Sequence, residues 1–137
     1  MVIEHELTAA QLCDAYERGQ RLFTGVELVS TSEYPSLLNV KLCGVEFADC
    51  WFHSTEFSNV DLSHTKFSRC NLKCCTFTNC DLRNTKWVDC PVCSVAIAAS
   101  VATGIAVSGL DAYGAPIESS AAFLEYASSN SVRRRSQ

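Results

Sequence analysis

The sequence predicts an all-β solenoid of square coils, closed by a helix at each end. Two observations carry this. From Leu37 to Ile97 an apolar residue recurs at every fifth position: Leu37, Leu42, Phe47, Phe52, Phe57, Leu62, Phe67, Leu72, Phe77, Leu82, Trp87, Val92 and Ile97. A second series of smaller residues runs two positions ahead of it, among them Val45, Cys50, Thr55, Val60, Thr65, Cys70, Cys75, Cys80, Thr85 and Cys90. A period of five fits neither the 3.6 of a helix nor the 2.0 of a strand, so it marks an internal repeat. If four five-residue sides make one coil, positions twenty apart stack at the strand spacing of about 4.8 Å. The apolar columns then match in size: Leu42, Leu62, Leu82; Phe47, Phe67, Trp87; Phe57, Phe77, Ile97.

The elements follow in order. Residues 1–22 form an N-terminal capping segment whose helix spans Leu7–Gly19. Thr8 and Gln11 have capping-box spacing, Leu7 and Leu12 have staple spacing, and Gly19 suits the left-handed stop. Residues 23–117 form the β-helix, strong over 35–97. Phe23 and Leu28 begin it, and Val29–Ser36, which holds Pro35, breaks the phase as a loop. Val92–Leu110 is uncharged and about long enough to span a bilayer. Its Ala, Ser, Thr and Gly content and its continued period of five read instead as degenerate repeat, so no membrane partner is expected. Residues 118–137 form the C-terminal cap and a disordered basic tail. In the cap, Ala121–Ala127 carries Phe123, Leu124 and Tyr126, and the tail ends in Arg133, Arg134 and Arg135. Each helix plugs an end that would otherwise invite pairing with other chains.

Outward columns should balance charge. Lys41 falls over Asp61, Glu46 over Lys66, and Asp49, Arg69 and Asp89 alternate in sign; Asp61 over Asp81 and Lys66 over Lys86 are unfavourable. Residues 1–34 carry six acids and two bases, whereas residues 35–97 carry six of each. A neutral repeat zone excludes a basic nucleic-acid surface. The acidic start, with no apolar segment, gives no signal peptide. The nine cysteines then fit a reducing cytoplasm better than a disulfide framework.

The strings Val-Asp-Leu-Ser-His (60–64), Cys-Asn-Leu-Lys-Cys (70–74) and Cys-Asp-Leu-Arg-Asn (80–84) resemble the motif of the pentapeptide-repeat family, Ala-(Asp/Asn)-Leu-X-X. The resemblance implies a right-handed quadrilateral β-helix. The opening helix followed by Arg-Leu-Phe-Thr-Gly-Val-Glu-Leu (21–28) is similar to the start of many cyanobacterial members. Cys, Val and Thr stand where the family commonly has Ala. Two roles known in the family come with the resemblance: regulation through protein contacts, and, in the quinolone-resistance members, binding of DNA gyrase as a duplex mimic. A neutral rod of about 20 Å matches only about six base pairs at roughly 3.4 Å each, which weighs against the second.

No catalytic set emerges: there is no nucleophile motif, phosphate loop or paired-acid signature, and His5, His53 and His64 read as surface residues. No cofactor is implied. Cys90-Pro-Val-Cys93 is a CxxC, yet Cys50, Cys70 and Cys90 lie twenty apart and should form one buried thiol column, packing instead of converging on a metal. A reversible disulfide between neighbouring coils stays open for that column, as does a thiol-based redox role for Cys74 or Cys93. Cys13, Cys43, Cys74 and Cys93 fall outside the inward series and are the expected reactive thiols. Trp51 precedes an inward residue and should point outward, either as an interface anchor with His53 and Glu56 or packed under the Val29–Ser36 loop. The expectation is a non-catalytic module for an unidentified protein partner. A homodimer through the sparsely charged Val92–Leu110 face is a second arrangement the sequence allows.

Overall fold

The computed structural model describes residues 2–135. Its elements run β1 (His5–Leu7), α1 (Ala9–Glu17), β2 (Leu22–Thr24), β3 (Val26–Leu28), β4 (Ser36–Leu38), β5 (Glu46–Ala48), β6 (Glu56–Ser58), β7 (Lys66–Ser68), β8 (Thr76–Thr78), β9 (Lys86–Val88), β10 (Ala96–Ala98), β11 (Ala106–Ser108), β12 (Leu110–Ala112), β13 (Ala115–Ile117) and α2 (Ser120–Arg135). They build an all-β solenoid with four sides per coil. One side is a five-stranded parallel sheet, β11-β9-β7-β5-β2, and another is a four-stranded parallel sheet, β10-β8-β6-β4. The two sides between them are held by single-residue parallel bridges, Glu27–Trp51–Asn71 with Pro91–Asp111 on one and Lys41–Asp61–Asp81–Val101 on the other.

Register follows the twenty-residue period: Phe47 pairs with Phe67 and Phe67 with Trp87, while Phe57 pairs with Phe77 and Phe77 with Ile97. The rings stack accordingly. Phe23–Phe47 and Phe47–Phe67 centroids are each 5.6 Å apart, Phe67–Trp87 4.8 Å, and Phe57–Phe77 4.6 Å with planes 10° apart. The inward residues Leu42, Phe47, Phe57, Leu62, Phe67, Leu72, Phe77, Leu82 and Trp87 are all fully buried. Each contributes about 1.5–3 kcal/mol by leaving water. An exposed ion pair contributes at most about 1 kcal/mol, so the interior column holds the rod together.

The square section needs a corner every five residues. At these corners, two positions after each inward residue, the backbone is left-handed: Asn39, Asp49, Ser54, Asn59, His64, Arg69, Cys74, Asn79, Asn84, Asp89, Ser94 and Ala99 have φ between 51° and 62°. Asn, Asp and Gly tolerate this conformation best. Gly44, Gly104 and Gly109 occupy further corners at φ 74°, 77° and 67°.

Both ends are closed. Thr8 caps α1 with a full capping box to Gln11. The helix ends as a Schellman turn, Gly19 N–H donating to Tyr16 O and Gln20 N–H to Ala15 O. Leu12 enters the core, and Tyr16 Oη donates to Cys43 O at 3.1 Å, tying α1 to the coil above. Before this helix β1 pairs in parallel with β3 and adds a rung that the sequence reading did not contain. At the far end the Asp111 bridge to Pro91 is the last coil contact on its side, and β12 and β13 form an antiparallel hairpin. α2 then folds over the opening: Phe123 meets Trp87 at 5.0 Å, Asn130 Nδ2 donates to Val95 O, and Ser94 N–H donates to Tyr126 Oη. The helix runs on to Arg135, so the backbone of the three arginines is helical where the sequence suggested a disordered tail. The remainder of that tail lies outside the described residues.

Among the described residues no helix is long and apolar enough to cross a membrane. Val92–Leu110 is a chain of corners and short strands.

Candidate functional site

While the more exposed rings of Tyr34 and Tyr113 stand in the loop before β4 and at the β12–β13 hairpin, Trp51 presents an exposed indole on a coiled side. Its neighbours Cys50 and Phe52 are buried, so strand alternation forces its side chain outward, where it keeps 39% exposure. Its backbone bridges Glu27 below and Asn71 above. Its indole stacks on the His53 ring, centroids 5.9 Å apart and planes 27° apart.

The neighbouring loop explains why a hollow forms here. Phe23 pairs with Phe47, twenty-four positions on instead of twenty. The four extra residues bulge out between β3 and β4, and Pro35 closes the bulge. The result is a hollow of about 210 Å³ lined by Glu27, Leu28, Val29, Ser30, Ser32, Glu33, Pro35, Trp51 and His53. Trp51 therefore flanks the loop and stays open to solvent, between the two placements the sequence allowed. Glu56 is not part of this hollow. It lies around the corner on β6, in a second hollow of about 390 Å³ with Tyr34, Ser54, Cys74 and Thr76. The loop borders both, with Tyr34 facing one and Glu33 and Pro35 the other.

Cys50, Cys70 and Cys90 stand one above another in the interior. Each thiol donates to a carbonyl one coil below: Cys50 to Phe23 O (3.4 Å), Cys70 to Phe47 O (3.2 Å) and Cys90 to Phe67 O (3.5 Å). Cys75 does the same to Phe52 O at 2.9 Å, Cys80 to Phe57 O at 3.4 Å, and the hydroxyl of Thr65 to Leu42 O at 3.2 Å. This recurring rung accounts for thiol and hydroxyl side chains in the small-residue series: each reaches a main-chain acceptor from a corner too narrow for a larger group. Burial pushes the Cys70 thiol well above its ordinary value.

The thiols outside the series differ among themselves. Cys13, Cys43 and Cys74 are half-buried, whereas Cys93 is buried, and its Sγ accepts the Tyr113 N–H at 3.0 Å. The thiols of Cys90 and Cys93 thus engage separate partners. Among the described residues no three His, Cys, Asp or Glu side chains gather as metal ligands.

The outward charges are paired more locally than their columns suggested. Arg69 grips Asp49 with two bonds, Nε–Oδ1 at 2.9 Å and a second of 3.2 Å to Oδ2. Lys41 stands in register with Asp61, but that carboxylate accepts from Ser63 N–H and Oγ. Asp61 also stands in register with Asp81, and Arg83 of the same coil compensates by binding Asp81 at 2.6 Å. His64 occupies a corner, and His5 lies on β1.

A family model described as "Pentapeptide repeat region" matches residues 35–105. Among solved structures the chain is similar to QnrB1, a plasmid-mediated fluoroquinolone resistance protein, at 13% identity and a TM-score of 0.55, covering 80% of this chain and 51% of that one. HetL from Nostoc sp. strain PCC 7120, a pentapeptide repeat protein involved in heterocyst differentiation regulation, matches at 13% identity with a TM-score of 0.31, covering 72% and 50%. Rfr23, a pentapeptide repeat protein from Cyanothece 51142, matches at 9% identity with a TM-score of 0.35, covering 78% and 86%. The chain thus spans about half the length of QnrB1 and of HetL. At such identity the likeness to QnrB1 is one of fold. Among curated proteins no sequence matches this chain.

Proposed function

The chain belongs to the pentapeptide-repeat family, and on that premise we propose that it is a non-catalytic interaction module of the cytoplasm. In this reading the solenoid is a rigid scaffold that offers the Trp51 hollow to a protein partner. One observation carries it: a tryptophan 39% exposed on a coiled side, beside the loop where four extra residues interrupt the repeat. Tryptophan is among the commonest anchors in protein interfaces. The interior thiols support a structural role for sulfur, since the column spends its S–H groups on main-chain carbonyls.

The test is in-cell cross-linking in the native host, comparing wild type with Trp51→Ala and with a surface control such as Glu118→Ala. Loss of the same cross-linked partner from Trp51→Ala alone supports the module; equal recovery from all three overturns it. The competing duplex-mimic reading is separated by a supercoiling assay with purified gyrase. The neutral repeat zone leads us to expect no inhibition at micromolar protein.

A further inference from the structure

We propose that the Trp51 hollow receives the guanidinium of an arginine, presented by a basic segment of a protein partner. This rests on the module reading above and names the chemistry that the module recognises.

Three features point to a flat cation. The first is the aromatic platform, Trp51 stacked on His53 with the indole open to solvent. The second is the pair of carboxylates in the same hollow. Glu27 is bridged to Trp51, and because Val26 and Leu28 point inward its side chain emerges beside the indole. Glu33 stands on the exposed loop, where its carboxylate also interacts with the Tyr34 hydroxyl. The third is that neither carboxylate is spent on a cation. Among the described residues the ion pairs are Arg69–Asp49 and Arg83–Asp81, both on other parts of the rod. Among the described residues no Lys or Arg lines the hollow. The nearest cation in register, Lys73, follows His53 one coil up, where Ser54 N–H donates to Lys73 O at 2.8 Å, and it is not a lining residue.

A cation above an indole face is attracted by the ring quadrupole. A guanidinium adds what an ammonium lacks: it lies flat on the ring while its edge donates in-plane hydrogen bonds to neighbouring carboxylates. The same carboxylates repel phosphate, so the occupant belongs to a protein and not to a nucleic acid. The excess of acids in residues 1–34 extends this field around the loop and favours a partner segment with further basic residues.

The experiment uses the full chain and three synthetic peptides in one Gly-Ser background, carrying two arginines, two lysines or two citrullines. Binding is read at near-physiological salt by calorimetry and by the NMR shifts of the two indole N–H signals. The arginine peptide is expected to bind saturably and to move the Trp51 signal but not that of buried Trp87. The lysine peptide should bind at least threefold more weakly, and the citrulline peptide should not bind. Glu27→Gln with Glu33→Gln should weaken the arginine peptide at least fivefold, and Trp51→Phe should retain part of the binding that Trp51→Leu loses. Equal affinity for lysine and arginine, unchanged affinity in the double glutamine variant, or no saturable binding would each overturn the proposal. If the native partner is lost with Trp51→Ala while the arginine peptide fails to bind, the module stands and the arginine assignment falls.

Discussion

The indole N–H of Trp87 donates to Thr85 Oγ1 at 2.9 Å, and that hydroxyl donates onward to Leu82 O at 2.8 Å. Both side chains are fully buried, with Trp87 packed among Phe67, Phe77 and Phe123. The larger ring of Trp87 replaces phenylalanine in its column only because the small-residue series puts a hydroxyl within reach of the indole nitrogen. Thr85→Val keeps the shape and leaves a buried donor without a partner. We expect a loss of about 1–3 kcal/mol, read by urea unfolding; an unchanged midpoint would show that the bond carries no net stability.

Thr55 is the converse case. It occupies the same series and is 1% exposed, yet its hydroxyl has no hydrogen-bond partner. Thr65 finds Leu42 O one coil below. The coil below Thr55 is the one interrupted by the loop, and the equivalent bond is not made. Thr55→Val should therefore be neutral or raise stability by up to about 1 kcal/mol, since it removes a buried polar group that gains nothing. Destabilisation like that of Thr85→Val would refute this account.

Gly44 and Gly109 separate two costs at the corners. Both have positive φ, 74° and 67°. A Cβ on Gly44 meets nothing within 4 Å, whereas one on Gly109 runs into the Asp89 carboxylate. Gly44→Ala should cost only the backbone penalty of about 1–2 kcal/mol. Gly109→Ala should cost that and more, with Asp89→Ala restoring part of it. Equal thermal midpoints for the two glycine variants would show that Asp89 moves aside freely.

Acid should weaken the rod through two carboxylates. The hydrogen bonds from Arg69 hold the Asp49 carboxyl below its usual value, and those from Arg83 do the same for Asp81. The unfolded chain therefore takes up protons first, near the ordinary aspartate value of about 3.9. The contribution of these pairs is complete above that pH and is lost as pH falls through the lower folded values. Arg69→Gln with Arg83→Gln should flatten the stability profile below about pH 4. A profile that overlays wild type would assign the acid sensitivity to other groups.

Thiol labelling should divide the nine cysteines by depth. Cys50, Cys70, Cys75, Cys80, Cys90 and Cys93 are buried, while Cys13, Cys43 and Cys74 are half-buried. In native protein an alkylating reagent should modify the second group first, with Cys13 slower than Cys74. Burial, with Glu17 and Asp14 adding to it, raises the Cys13 thiol. Mass spectrometry of the labelled peptides checks this, and fast native labelling of Cys70 would show an interior more open than described.

Much of this was legible from spacing. The fivefold series placed Phe47, Phe67 and Trp87 in one column because a parallel coil stacks like over like, and Thr8 with Gln11 marked the start of α1 because the capping box is local. The corners fall two places after the inward residues, and although Asn, Asp, Ser and Gly fill most of them, His64, Arg69, Cys74 and Ala99 share the conformation and blur the signal. Contacts between distant segments left no periodic trace. The pairing of β1 with β3, the burial of Cys93 beneath Tyr113 N–H, and the division of Trp51 and His53 from Glu56 all depend on which side of the square a residue occupies once the chain has turned.

The repeat by itself determined the interior of this protein, because side chains five apart must alternate with corners if main-chain groups are to pair between coils. The outer surface was decided only in three dimensions. Four surplus residues in one coil displace a loop, and that displacement leaves Trp51 uncovered beside Glu27 and Glu33. Neither the depth of that hollow nor the absence of a cation from its lining is a property of any one stretch of chain; both arise where separate coils meet.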